Sequence, residues 1–389
     1  MRIQLEKETD LTPILSHCAI SRKRMADIDV MIQDALSLEN PANMFMQLFY
    51  IASSMNQTEL ALSMQSNALE ISHVYRIYQP IKPKIRLLAF VGRGDMTDNA
   101  PLDYLVENSD IQLDLLFISL GTDLPEFMPD HDIAIVALGE SDANNSILDK
   151  IDSLLNVWPR PYLNSPQKIK DCARQKITKV LSGIPNVIIP ETYRMHRNDL
   201  DTKKFPITIR PLDTHGGRGF EKIESTGSLH DYLNRYTECE EFYVCPFIDY
   251  MSIDGHYRKW RIALIDKKPY ICHLAISNNW MVHFQSSGME EDESKRREEK
   301  YNMENFDDDF ARRHQQSLYA IADRLALDYV IIDCTETQKC ELFLFEADVR
   351  GWIHATDPLD IFPYKPIIMQ KAFDGFRELL SNRMRQVEL

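Results

Sequence analysis

Several things are scarce in this chain, and each scarcity narrows what it can do. Cysteine is sparse and dispersed: Cys18, Cys172, Cys239, Cys245, Cys272, Cys334 and Cys340 include no CxxC pair. An odd, scattered set of this kind reads as reduced thiols in a cytoplasmic protein. No apolar run approaches the roughly 18 residues of a membrane span. The opening stretch MRIQLEKETD lacks the apolar core that a signal peptide requires. Positive charge is in deficit, with 44 Lys and Arg against 59 Asp and Glu and a net charge of -15. That balance argues against nucleic acid or anionic lipid as the main partner, while leaving room for a local cationic pocket that takes small anions. The phosphate-loop signature GxxxxGK[ST] and the kinase-type GxGxxG loop are both missing. Gly92 and Gly94 follow an apolar run, but Thr97 stands where a dinucleotide fingerprint needs its third glycine, so a tight βα turn is expected there. Glycine is rare altogether, 13 in 389 residues, yet three of them fall at Gly216, Gly217 and Gly219, just after Arg210.

What is present divides the chain. Its length exceeds the usual span of one hydrophobic core, so two or three domains are expected. Residues 20–75 carry helical periodicity: Phe45, Leu48, Phe49 and Ala52, then Leu60, Met64, Ala68 and Ile71, with Thr58 as a candidate N-cap. The pattern predicts a helical hairpin over about residues 1–80, serving as a structural or dimer-forming layer or as a peptide-binding surface. Prolines in QPIKPK close that region. The runs 84–91, 113–118 and 132–138 are short and continuously apolar, as strands covered on both faces are. They predict a small parallel α/β domain at 82–160. Beyond WPRPYLNSPQKI the character turns to antiparallel strands, expected at 205–210, 241–248, 260–266, 269–276, 328–333 and 341–346. The mixed-charge run EEDESKRREEK predicts a solvated helix or loop, with a flap over a site as the alternative.

The chemistry concentrates in that last part. Glycines without side chains let backbone N–H groups approach an anion, so the Gly216–Gly219 loop after Arg210 can cradle phosphates, or can simply turn the chain. Far downstream, LDYVIIDCTE carries Asp333 at the end of an apolar strand, and CELFLFEADVRG carries Glu346 and Asp348 at the end of another. Alternation puts Glu346 and Asp348 on one face, and a hairpin across TETQKC lets Asp333 face them. Clustered carboxylates repel and resist desolvation, a conflict that a hard divalent cation resolves; Mg²⁺ with bound phosphates is the expected occupant.

These segments resemble the ATP-grasp superfamily, which includes D-alanine–D-alanine ligases and ribosomal-protein glutamate ligases. The resemblance spans about residues 82–370 and rests on LNSPQKI, FPITIRPLDTHGGRGF, EEFYVCPFID, IIDCTE and FLFEAD standing in the family's order. HYRKWRIALIDKKPYICHLAIS and WMVHF resemble a group of ATP-grasp proteins with a tetratricopeptide-like N-terminus. It implies an α/β (α+β) fold with the ATP-grasp domain at 161–389 and an adenine-binding hinge near 244–249. It further implies phosphate contacts from Lys176 and Arg210 and a phosphate-covering role for Gly216, Gly217 and Gly219. Val244, Cys245, Pro246, Phe247, Ile248 and Asp249 would flank adenine, and Asp333 and Glu346 would bind magnesium. Asp348 stands where asparagine is usual. Arg261 matches a basic residue near the γ-phosphate or acyl phosphate. Arg258 and Lys259, His283 and Arg350 are candidates for substrate contact or proton transfer, each with a solvated or structural alternative, and His215 would pack over nucleotide at most.

The resulting expectation is an ATP- and magnesium-dependent carboxylate–amine ligase acting on small-molecule or peptide substrates, with a homodimer as one arrangement. A peptide maturase and a small-molecule kinase are the alternatives.

Overall fold

A computed structural model describes residues 3–6, 11–23, 27–125, 127–202, 204–212, 214 and 216–387. His215 lies outside the described residues. The chain forms two compact units, one of Met1–Lys170 with Leu327–Val330 and Val349–Leu389, the other of Asp171–Ala326 with Ile331–Asp348.

The first unit is built on a five-stranded sheet. Ile85–Gly92 lies at its centre, parallel to Ile111–Ile118 on one side and Ile133–Val136 on the other. These are the three expected strands, and the central pair is almost wholly buried. Val74–Tyr78 adds an antiparallel edge and Tyr162–Leu163 a parallel one. Ahead of the sheet stand the helices Pro41–Ser54 and Thr58–Ile71, joined by a three-residue link. Asn40 caps the first, accepting from the Ala42 and Asn43 N–H groups, and Pro41 opens it. Thr58, expected as the cap of the second helix, is its first helical residue; Gln57 holds the cap position with no side-chain bond. The helix Lys365–Val387 also belongs to this unit. It buries Phe376, Leu379 and Leu380, and Arg377 forms a two-pronged pair with Asp110, both bonds at 2.7 Å.

The second unit carries two antiparallel sheets. One has the order Glu221–Ile223, Ile207–Pro211, Glu241–Pro246, Tyr193–His196. The helix Thr226–Arg235, opened by a Ser225–Ser228 capping box, closes its core through Leu229 and Tyr232. The other sheet runs Lys268–Ser277, Tyr257–Ile265, Tyr329–Glu336, Leu342–Asp348, with Val187–Ile188 parallel at its edge. The charged run becomes the helix Glu293–Glu304, N-capped by Asp292. It is docked as well as solvated: Glu299 is buried and accepts the Leu274 N–H at 3.2 Å, and Glu298 pairs with Arg258 at 2.5 Å.

Candidate nucleotide site

The site grows from two hairpins of the second unit. In the first, Ile207–Pro211 and Glu221–Ile223 pair antiparallel, and the glycine loop joins them. Gly216, Gly217 and Gly219 have φ of 62°, 75° and 66°, left-handed values that a side chain disfavours. At Gly217 there is a second reason: a Cβ would come within 2.4 Å of His283 Nε2. The imidazole therefore lies directly against the loop. Tyr232 anchors the loop's far end, its hydroxyl donating to the Gly219 carbonyl at 2.7 Å.

The second hairpin brings the carboxylates together. Asp333 and Glu346 are direct cross-strand partners, and Asp348 pairs with Ile331 two positions along. Asp333 and Glu346 are each met by cations. Arg261 grips Asp333 with two bonds of 2.8 and 2.9 Å, and Lys259 adds a third at 3.0 Å. Glu346 accepts from Arg174 at 2.5 Å. Alternation along Tyr257–Ile265 explains the division of its cations: Lys259 and Arg261 share the face toward Asp333. Arg258 points the other way, to Asp254 at 2.7 Å and Glu298. Burial works against ionisation of Asp333, but Arg261 and Lys259 prevail and hold its carboxyl well below the usual range. Glu346, where Arg174 likewise outweighs burial, is drawn down to about 2.

Arg210 is different. It is buried, and among the described residues it makes no ion pair: its guanidinium donates to the Thr214 hydroxyl at 3.1 Å and to the Thr214 carbonyl, and lies 5.5 Å from the centre of the Phe220 ring. Burial, then the neighbouring Arg174, push it down to about 9. A buried cation beside another cation, with neutral partners, is a site prepared for an anion. Burial, and then the neighbouring Lys259, lower His283 and so disfavour its protonated form.

The remaining expected residues are placed as follows. Lys176 is exposed on the helix Arg174–Val180, two positions beyond the residue that reaches Glu346. Val244 is part of the first sheet's core with Ile207 and Ile209. Cys245 and Pro246 end that strand, and Phe247 stands edge-on to Trp280 with Lys222 Nζ 4.3 Å from its ring centre. Ile248 packs on the Tyr250–Phe343 cluster, and Asp249 accepts from Met251 N–H and Tyr257 hydroxyl, each at 3.1 Å. Arg350 belongs to the first unit, its side chain lying against Gly139, where a Cβ would sit 2.0 Å from Arg350 Cδ. Sequence reasoning missed Arg174, Phe220 and Trp280. The last two pack edge to face at 5.3 Å beside the loop.

No three His, Cys, Asp or Glu side chains among the described residues gather as a metal-binding group. The donor set still suits magnesium, which uses one or two carboxylates and draws its other ligands from water and phosphate. Asp333 and Glu346 are such a pair.

The ion pairs make a prediction about acid. Glu346 is depressed from the ordinary glutamate value of about 4.3 to about 2. Its contribution to stability is therefore present above the unfolded value and lost as pH falls through the folded one. Urea midpoints measured from pH 6 to pH 2 should fall between about pH 4.3 and 2, and Arg174→Ala should remove part of that fall. An identical profile in the variant would separate Glu346 from Arg174.

No family model and no curated protein matches the sequence. Among solved structures the chain is similar to a D-alanyl-alanine synthetase A from Vibrio cholerae, at 10% identity, covering 78% of this chain and 99% of that one with a TM-score of 0.50. It is similar also to a D-alanine–D-alanine ligase from Bacillus anthracis complexed with ATP, at 13% identity over 78% of this chain and 98% of that one, TM-score 0.46. A RimK domain ATP-grasp protein from Sphaerobacter thermophilus aligns at 11% identity over 76% and 98%, TM-score 0.44. The chain has the ATP-grasp fold. No helix among the described residues is long and apolar enough to cross a membrane.

Proposed function

We propose that the second unit binds ATP with magnesium and activates a carboxylate as an acyl phosphate, which an amine then converts to an amide. The observation that carries this reading is the buried Arg210, which has no ion-pair partner among the described residues and lies beside Arg174, near a glycine loop and the Asp333–Glu346 carboxylate pair. The likeness in fold to ligases agrees with it, although fold alone does not set chemistry. In this reading Arg210 and Arg174 take phosphate oxygens, and backbone N–H groups of Gly216–Gly219 cover them. Phe247 and Ile248 border the base. Asp333 and Glu346 would hold magnesium, with Asp348 farther along the same strand rather than a third ligand, and its charge would offset that of the phosphates when bound. Arg261 and Lys259, already within 3.0 Å of Asp333, stand ready to stabilise charge on the transferred group.

The bonds balance as follows. A substrate carboxylate oxygen attacks the γ-phosphorus, the bond to the bridging oxygen breaks, and ADP leaves. The amine nitrogen attacks the acyl carbon, the bond to the phosphate-bearing oxygen breaks, and phosphate leaves as the nitrogen loses its proton to solvent. An ¹⁸O label placed in the substrate carboxylate should therefore appear in free phosphate, in step with amide formation. Label confined to the organic product, or phosphate retained on a stable hydroxyl, would replace the ligase reading with a kinase.

A further inference from the structure

The first unit holds a cavity of about 50 Å³ that the nucleotide chemistry does not use. It lies between the helical hairpin and the sheet, where the parallel strands end. Phe49 and Tyr50 line it from one helix and Gln65 from the next, Leu113, Leu115 and Phe117 from one face of a strand, and the 95–103 segment from the side. The carboxyl end of a parallel sheet is where open α/β folds place ligands.

The wall is built rather than loose. Gln65 both donates to the Gly94 carbonyl and accepts from its N–H, each at 3.0 Å. Asn99 does the same to Gly92 at 2.9 and 2.8 Å, and Asp98 accepts from Asp95 N–H at 2.9 Å. Gly94 has φ of 155°, and a Cβ there would fall 2.1 Å from Asp98 Oδ2. Four polar side chains of the lining are thus held in place: Gln65, Asn99, Asp95, whose Oδ1 accepts from Thr97 N–H at 2.6 Å, and Asp103, whose Oδ2 accepts from Cys18 N–H at 2.7 Å.

The charge of this lining is one-sided. It contains two carboxylates, Asp95 and Asp103, and neither Lys nor Arg. Asp103 is 9% exposed, and burial raises its carboxyl to about 6 against the pull of the Cys18, Asp103 and Tyr104 N–H groups. Tyr50, 6% exposed, lines the same cavity, and its hydroxyl exchanges no hydrogen bond with another described residue. Tyr50 and Asp103 line the same cavity, one from the helix Pro41–Ser54 and the other from the segment after Pro101. A carboxylate in a lining without cations, beside a hydroxyl that bonds no other described residue, suits a hydrogen-bond donor that carries positive charge. Aromatic rings from Phe49, Tyr50 and Phe117 favour an organic cation, and Leu113 and Leu115 suit its alkyl part. A hard metal ion would need more oxygen ligands than this wall offers.

We infer that this cavity is a binding site for a small organic ammonium, its nitrogen on Asp103 and Tyr50 and its alkyl chain against the sheet. The inference stands apart from the ligase reading. It is tested on the full-length protein without nucleotide, by titrating n-propylammonium and, in parallel, the neutral isostere 1-propanol, with ligand-observed NMR. Propylammonium should bind saturably, with a dissociation constant on the order of millimolar for so few atoms. Propanol should bind at least ~10-fold more weakly. Asp103→Asn keeps an oxygen for Cys18 N–H and should lose ~10-fold or more of the affinity; Tyr50→Phe, which preserves shape, should weaken binding as well. Should Asp103→Asn fail to fold, Tyr50→Phe alone decides. Absence of saturable binding, equal binding of propanol, or unchanged affinity in whichever variants fold would overturn the assignment and leave a water-filled cavity.

Discussion

Glu346→Gln should lower ATP turnover by about 10²- to 10³-fold, the scale on which removal of a preorganised charge-stabilising group acts, while the far-ultraviolet circular dichroism stays unchanged. The change is isosteric and keeps an oxygen for Arg174, so the strand Leu342–Asp348 has no packing reason to move. What it removes is half of the facing carboxylate pair. The same variant carries a second, opposite expectation. Glu346 is the internal anion of Arg174, and it also offsets Arg210. Without its charge both guanidinium groups are left to a ligand, so a nucleotide without magnesium should bind as well as before or more tightly. Calorimetry with a non-hydrolysed ATP analogue, with and without magnesium, reads both effects. Full turnover in the variant would remove Glu346 from the metal site; weaker magnesium-free binding would show that the Arg174–Glu346 pair supports the fold rather than restraining the cations.

The second large effect belongs to the two arginines. Arg174→Ala and Arg210→Ala should each weaken the ATP analogue by about 1–3 kcal/mol, roughly 5- to 150-fold, as loss of a charge-assisted hydrogen bond does. Lys176→Ala should change it less than about 2-fold, in keeping with the small worth of solvated charges. The contrast follows from helix geometry. Positions two apart on the helix Arg174–Val180 are separated by about 200°, so when Arg174 reaches Glu346, Lys176 faces solvent. A large loss with Lys176→Ala and none with Arg174→Ala would reverse the assignment.

That pair of residues also marks how far the sequence could be read. Strands announced themselves wherever apolar runs ended in glycine or carboxylate, and the central strands of both units lie within a few residues of their expected positions. The opposition of Asp333 and Glu346 followed from alternation plus a hairpin link, and the register pairs them directly. Helical segments were harder to place. Over the seven residues Arg174–Val180, a shift of two positions leaves composition unchanged while reversing the face, so nothing local favours Arg174 over Lys176. Thr58 is a good capping residue standing one place too late, because the first helix closes through a left-handed Asn56 and the bond from Gln57 N–H to the Ala52 carbonyl, which leaves Gln57 at the cap position. Along Tyr257–Ile265 alternation separates Arg258 from Lys259 and Arg261, but which face meets Asp333 depends on the neighbouring strand, 70 residues away in sequence. The cavity beside Asp103 left no motif at all. Its lining comes from three helices, three strands and a loop, each ordinary when read alone.

The placement of the helix Lys365–Val387 in the first unit has a consequence for the order in which the protein is made. All residues of the second unit, Asp171–Ala326 and Ile331–Asp348, leave the ribosome before that helix does. The first unit, although its sheet is synthesised earliest, must wait for Phe376, Leu379 and Leu380 to cover it and for Arg377 to meet Asp110. Domains commonly fold as they emerge; here the part synthesised first is completed last. During synthesis the apolar surface that awaits this helix stays open for the whole time the second unit is being translated, and it is there that a chaperone would find its longest-lived target.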